Sequence, residues 1–185
     1  MKRARVFTSL ILALAMLITM IPMNPTNVFA EKANHVVISE AYGGGGNSGA
    51  TYKNDFIELY NPTSSDIDIS GWQIQYASAT GSFGSNNVVF ENAVIKAGGY
   101  FLIQAAKGSG GTVDLPEPDA ICNIAMSAQN FKLRLLDNNS NIVDLLGVGT
   151  ATEKETTPTP AVSNTTSAQR KDNDGSKTGV TNGWD

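Results

Sequence analysis

Few residues in this 185-residue chain have the types and spacing that chemistry needs. The single histidine, His35, opens the first strand-like segment, so a serine or cysteine nucleophile has no other imidazole to serve as its base. Ser48 sits in Gly46-Asn47-Ser48-Gly49-Ala50, which lacks the spacing of a nucleophile elbow. Cys122 is the only cysteine; it can form no intramolecular disulfide, has no thiolate or metal partner, and reads as a small buried hydrophobe. Glu40 and Glu58 lie in neighbouring strand-like segments. Facing carboxylates of that kind raise one pKa and suit acid–base work. The competing account is an edge or solvent-facing pair, and strands this short offer no evident glycosidase cleft.

Gly44-x-Gly46-x-x-Gly49 formally satisfies a dinucleotide-binding fingerprint, but that chemistry requires a helix N-terminus after the glycines to hold pyrophosphate. Another strand follows instead, so the segment between Tyr42 and Lys53 is expected to be a mobile glycine-rich hairpin loop. Asp172-Asn173-Asp174-Gly175 resembles the opening of a calcium loop, with hard oxygens at alternate positions and a glycine turn. The closing bidentate glutamate is absent, which leaves Asp172 and Asp174 as a weak Ca2+ candidate set against a solvated Asx-turn. Tyr42, Asn47, Tyr52 and Phe83 fall in loop-like segments and are the candidate binding residues. The rings of Tyr42, Tyr52 and Phe83 can stack on sugars, or anchor loops and core.

The elements that must position these residues are strands. Trp72, Ile74 and Tyr76 alternate with Gln73, Gln75 and Ala77; Phe131, Leu133 and Leu135 alternate with Lys132 and Arg134; Ile67 and Ile69 alternate with Asp66, Asp68 and Ser70. A period of two puts each apolar set on one face, half-burying the strand. Val36 to Tyr42, Asp55 to Tyr60, Val88 to Phe90, Tyr100 to Gln104 and Ile142 to Val148 complete a set of about eight short strands, which suits two packed sheets. Asn61-Pro62, Ser70-Gly71, Gly98-Gly99 and Asp137-Asn138-Asn139 punctuate them with turn chemistry. The irregular stretch from Lys107 to Ala128 is expected to cross the surface between sheets. Residues 151–166, rich in Thr, Pro, Ser and Asn, read as a flexible loop or linker, after which Ser167 to Lys171 can pair back on a sheet edge.

The N-terminal stretch sets the expected compartment. Lys2, Arg3 and Arg5 precede a mostly apolar run from Val6 to Ile21, and Val28-Phe29-Ala30 offers small residues for a signal peptidase. The run is short for a bilayer span of roughly 20 residues and is followed by Pro22 and Pro25. Residues 1–30 are therefore expected to be a cleaved signal peptide, leaving a secreted, extracellular chain with no membrane attachment. Residues 31–185 then form one domain. The removed segment holds three of 13 basic residues and none of 17 acidic ones, so the formal charge falls from −4 to −7. With basic residues scattered apart from Arg170-Lys171, sequence-independent nucleic-acid binding is disfavoured.

Ile38-Ser39-Glu40, Asp55 to Pro62 and Asp68-Ile69-Ser70-Gly71-Trp72, within HVVISEAYGGGGNSGATYKNDFIELYNPTSSDIDISGWQIQY and with KAGGYFLIQ downstream, resemble the lamin tail domain family. The resemblance covers most of residues 35–185. It implies an immunoglobulin-like β-sandwich in which the Gly71-Trp72 turn delivers an aromatic anchor between the sheets. It also implies an interaction module, of a type that in bacterial relatives is exported and often sits beside a nuclease or phosphoesterase domain. The family pattern implies a further segment after Asn182-Gly183-Trp184-Asp185, so the chain reads as truncated at its C-terminal end. The expectation is a non-catalytic extracellular accessory module, without a cofactor unless Ca2+ is held, that binds a protein or cell-surface polymer through end loops or a strand edge. The alternative is a fragment or accessory domain of an exported nuclease or phosphoesterase whose catalytic domain lies elsewhere. Metal-assisted phosphodiester hydrolysis needs a His, Asp and Asn set that these residues do not supply.

Overall fold

A computed structural model describes residues 33–155 and 157–171. The expected signal peptide and the Asp172–Asp174 pair lie outside the described residues. Eleven strands run in the order β1 (Val37–Tyr42), β2 (Asn54–Tyr60), β3 (Ile67–Asp68), β4 (Gln73–Ser78), β5 (Asn87–Val89), β6 (Val94–Ile95), β7 (Tyr100–Lys107), β8 (Ala120–Ile121), β9 (Phe131–Leu136), β10 (Ile142–Val148) and β11 (Ala168–Gln169). They form a five-stranded sheet, β11-β1-β2-β7-β8, a four-stranded sheet, β10-β9-β4-β5, and the small β3-β6 pair. Every pairing is antiparallel except β7 with β8. The described residues contain no helix, and the two larger sheets make an immunoglobulin-like β-sandwich.

The period-two pattern produces this arrangement directly. Ile57 and Leu59 of β2, with Phe101, Ile103 and Ala105 of β7, turn inward from one sheet. Ile74 of β4, Phe131, Leu133 and Leu135 of β9, and Leu146 and Val148 of β10 meet them from the other. Most are fully buried, and each such side chain contributes roughly 1.5–3 kcal/mol by leaving water. Phe90, 2% exposed and edge-on to Phe101 with ring centroids 5.3 Å apart, is the aromatic wedge between the sheets. Trp72 is only half-buried at the margin of the same core, so the expected anchor role passes to Phe90. Gly71 makes the turn with φ 80°, and its N–H bonds the Phe90 carbonyl at 2.8 Å.

The eight strand segments expected from the sequence, three of them by clear alternation, are present. The additional strands are two-residue pieces, too short to show a period: β6 and β8, and β11, which supplies the edge pairing expected of residues 167–171. The crossing from β7 to β9 runs along the edge of the five-stranded sheet. On the way it forms parallel β8, with Asp119 N–H to Leu102 O and Cys122 N–H to Gln104 O.

Two expected mobile regions are instead packed. Gly43 to Gly46 are all buried. A Cβ on Gly45 would overlap the backbone of Asn54, and one on Gly46 (φ 68°) would overlap that of Gly108. Backbone thus lies against backbone, which only glycine permits, and the Gly46 carbonyl accepts the Gly110 N–H at 2.6 Å. Residues 151–166, expected as a flexible linker, form no strand among their described members but are laid along the sandwich. Thr159 makes a parallel bridge to Val148 and exchanges bonds with Gly147 and Gly149; Ala151, Thr159 and Val162 are buried.

The seam where β1 approaches β10 is closed by charge. Arg170, fully buried, sends one guanidinium nitrogen to both oxygens of Asp144 at 2.8 Å, a second to Glu155 at 2.9 Å, and its Nε to the Ile38 carbonyl at 3.1 Å. Asp144, 5% exposed, also accepts the Ile38 N–H at 2.6 Å. Register shifts in β1 between Ile38 and Glu40, and in β10 between Ile142 and Asp144, aim these groups at one another.

Candidate functional site

The inward set on β1, β2 and β7 leaves the alternate residues pointing away from the core. Register places them in rows across the outer face of the five-stranded sheet: Tyr42 beside Phe56 beside Gln104, Glu40 beside Glu58 beside Leu102, and Tyr60 beside Tyr100. Tyr52 leans onto the first row, with ring centroids 6.0 Å from Tyr42 and 5.8 Å from Phe56; Tyr42 and Phe56 are 5.5 Å apart. Tyr60 and Tyr100 stack at 4.6 Å, and Tyr100 remains half exposed. The result is an aromatic and acidic surface between the β7–β8 crossing and the segment before β11.

Two adjoining cavities indent this surface and share Glu40, Tyr52 and Phe56. One, of about 240 Å3, runs past Tyr42 to Thr165, Thr166 and Ser167. The other, of about 180 Å3, is walled by Glu58, Leu102, Leu115 and Pro116. The Leu115 wall is held in place by a bridge between Tyr52 and Val113, N–H bonds from Thr112 and Val113 to the Thr51 carbonyl at 3.0 and 2.9 Å, and a Lys53–Asp114 ion pair at 2.7 Å.

The two carboxylates face one another as the β1–β2 register pairs them, as their place in neighbouring strands allowed. Ser39 Oγ donates to Glu58 at 2.6 Å and Ser167 Oγ to Glu40 at 2.5 Å. Among the described residues neither has a cationic partner. Burial pushes the Glu58 carboxyl upward, the Ser39 hydrogen bond opposes that rise, and the Glu40 charge adds to it. Tyr42 is also raised, first by burial and then by Asp55. Its hydroxyl donates to the Asn164 carbonyl at 2.5 Å.

The structure unites three of the four predicted binding residues and separates the fourth. Tyr42 ends β1 and is nearly buried, so it is a strand residue and not part of a loop. Asn47 donates to Asn164 Oδ1 at 3.1 Å and Asn164 donates back to the Ser48 carbonyl, which fastens the glycine loop to the segment before β11. Phe83 lies on the outer face of the other sheet, where its ring is occupied by the cations of Lys132 and Arg134, 5.0 and 4.3 Å from its centroid. The half-buried ring is thus engaged in a cation stack on that sheet, apart from the other three residues. Two lysines or arginines at alternate positions of one strand were the signal that an aromatic could cover them.

Sequence reasoning did not single out Asp55. It is 4% exposed, accepts N–H groups from Gly45 and Met126 at 2.8 Å each, and so ties the glycine loop to the strand crossing. Burial pushes its carboxyl up to about 6 against the opposing pull of those two bonds. Cys122 is half-buried, with burial raising its thiol, which agrees with a packing role. His35 Nδ1 lies 2.9 Å from the Val36 carbonyl. No group of three or more His, Cys, Asp or Glu able to hold a metal occurs among the described residues.

Comparison with known proteins follows the same line. Residues 30–150 match the family model described as Lamin Tail Domain, which is more than half of the chain. A comparison with curated proteins returns no match. The matched residues carry the core of both sheets, whereas β11 and Arg170 lie beyond them. The chain belongs to the lamin tail domain family, whose members are immunoglobulin-like, non-catalytic domains that commonly serve as interaction modules.

Proposed function

We propose that this member of the lamin tail domain family is an exported, non-catalytic interaction module whose binding face is the outer surface of the five-stranded sheet. The partner is a protein or a cell-surface polymer. The observation that carries the reading is the pair of cavities around Tyr52, where aromatic rings and opposed carboxylates stand open on a sheet whose inner face is fully engaged in the core. Surfaces that combine aromatic rings, a few polar groups and rigid support are the usual makings of recognition. The basic and apolar N-terminal stretch ending at Ala30 supports the extracellular setting.

The test is retention of the labelled full chain on washed cells and on their isolated wall polymer. Tyr52→Ala with Leu115→Ser is expected to lower retention at least tenfold, while Val89→Ser on the other sheet leaves it unchanged. Equal retention by all three proteins would remove the binding face from this surface. In parallel, a phosphodiester assay with Mg2+, Mn2+ or Ca2+ is expected to show no turnover; activity abolished by Glu58→Gln would overturn the non-catalytic reading.

A further inference from the structure

The smaller cavity has walls of three kinds. Leu102 and the Leu115–Pro116 turn make it apolar on one side, Tyr52 makes it aromatic, and Glu40 and Glu58 place two carboxylates against it. At about 180 Å3 it is smaller than the roughly 300–1,000 Å3 of a typical small-molecule site. It has room for one long side chain. A chain of methylenes ending in a cation satisfies every wall together: the stem covers the leucines and proline, and the head meets carboxylates and the aromatic face.

Charge gives the second argument. Glu40 and Glu58 are directly opposed in register and bound only to serine hydroxyls, so the folded chain holds like charges together without a counterion of its own among the described residues. A neutral sugar ring would stack on the tyrosines and leave that repulsion standing. An anionic polymer would add to it.

We propose that this cavity receives a lysine or arginine side chain from an extended segment of a partner polypeptide. The assignment rests on the outer face being the binding face and narrows what that face accepts. The neighbouring cavity, with Thr165, Thr166 and Ser167 along one side, gives the flanking residues of the segment polar groups to bond.

The experiment titrates the full chain with nonalysine and nonaarginine. Two control probes accompany them: nona(acetyl-lysine), which keeps the stem and loses the charge, and nona(diaminobutyrate), which keeps the charge on a shorter stem. Saturable binding of the first two is expected, with both controls at least tenfold weaker. Glu40→Gln with Glu58→Gln is expected to weaken nonalysine at least tenfold, Leu115→Ser severalfold, and exposed Glu91→Gln not at all. Thermal unfolding of each variant confirms that it is folded. Equal binding of the short-stem probe, an equal loss in Glu91→Gln, or tighter binding of a chitosan oligomer than of nonalysine would overturn the proposal. If the Tyr52/Leu115 variant loses cell retention while nonalysine does not bind, the binding face stands and its basic partner falls.

Discussion

The two outer faces of the sandwich treat paired like charges in opposite ways. On the four-stranded sheet, Lys132 and Arg134 project side by side from β9, and the chain completes them. Lys132 is 1% exposed, bonded to Glu153 at 2.5 Å and Thr152 at 3.2 Å, while Arg134 bonds Gln75 at 2.8 Å and Phe83 covers both. On the five-stranded sheet, Glu40 and Glu58 have two serine hydroxyls and an open cavity. A charged pair on a strand is thus no indicator of solvation by itself. What distinguishes the faces is whether a later segment of the same chain brings an opposite charge, as Glu153 does for Lys132 and as no described residue does for Glu40 and Glu58.

The strongest test of self-completed charge is Arg170. Arg170→Ala leaves Asp144 buried without its guanidinium, and urea unfolding is expected to show a loss of about 3–5 kcal/mol. Asp144→Ala should cost a similar amount, and the double variant clearly less than the sum, because the two act as one unit. Additive losses would mean that the seam is held by something other than this pair.

Asp55 comes next, as a buried carboxylate with no cationic partner among the described residues. Its folded pKa of about 6 stands above the ordinary carboxyl value of 3.8, so the folded state binds more protons between those limits. Stability from this group is therefore greatest below about pH 4 and declines as pH rises to about 6, by roughly 2–3 kcal/mol. The difference between wild type and Asp55→Asn, measured by denaturation at pH 4 and pH 7, should carry that slope; a flat difference contradicts it.

The smallest effects separate the two faces directly. Lys132→Ala is expected to cost about 1–2 kcal/mol, through lost packing of its stem under Phe83 and Thr152 more than through its pair with half-exposed Glu153. Glu58→Gln keeps an acceptor for Ser39 and removes a repulsion, so it should be neutral or stabilising by up to about 0.5 kcal/mol. If Glu58→Gln were instead as destabilising as Lys132→Ala, the open face would also be self-completed and the contrast would disappear.

The repeating parts of this molecule were legible in its sequence. Trp72-Gln73-Ile74-Gln75-Tyr76 and Phe131-Lys132-Leu133-Arg134-Leu135 announce strands because a period of two needs only local information. Their place in neighbouring strands also allowed Glu40 to face Glu58. What escaped depends on contacts between distant residues. Asp144 within the run Ile142 to Val148 was a hint of a buried partner, but nothing local identified Arg170, 26 residues away, as that partner. Lys132 alternates as an outward residue and does point outward; the return of Thr152 and Glu153, together with Phe83, covers it. Gly43 to Gly46 looked like freedom and are the opposite, since their requirement for glycine comes largely from the backbone of Ser127, Asn164, Asn54 and Gly108 lying against them, with the positive φ of Gly46 adding to it.

The late position of Arg170 also bears on the order in which the fold can be completed. A chain made from its N-terminus has β1, β2, β4, β7, β9 and β10 in hand by residue 148, yet the outer edge of β1 stays unpaired and Asp144 uncompensated until residues 168–170 arrive. Until then the nascent domain presents a bare strand edge beside a buried carboxylate. Closure by β11, a contact spanning Glu40 to Gln169, is therefore a late step that waits for residues 168–170 to be made.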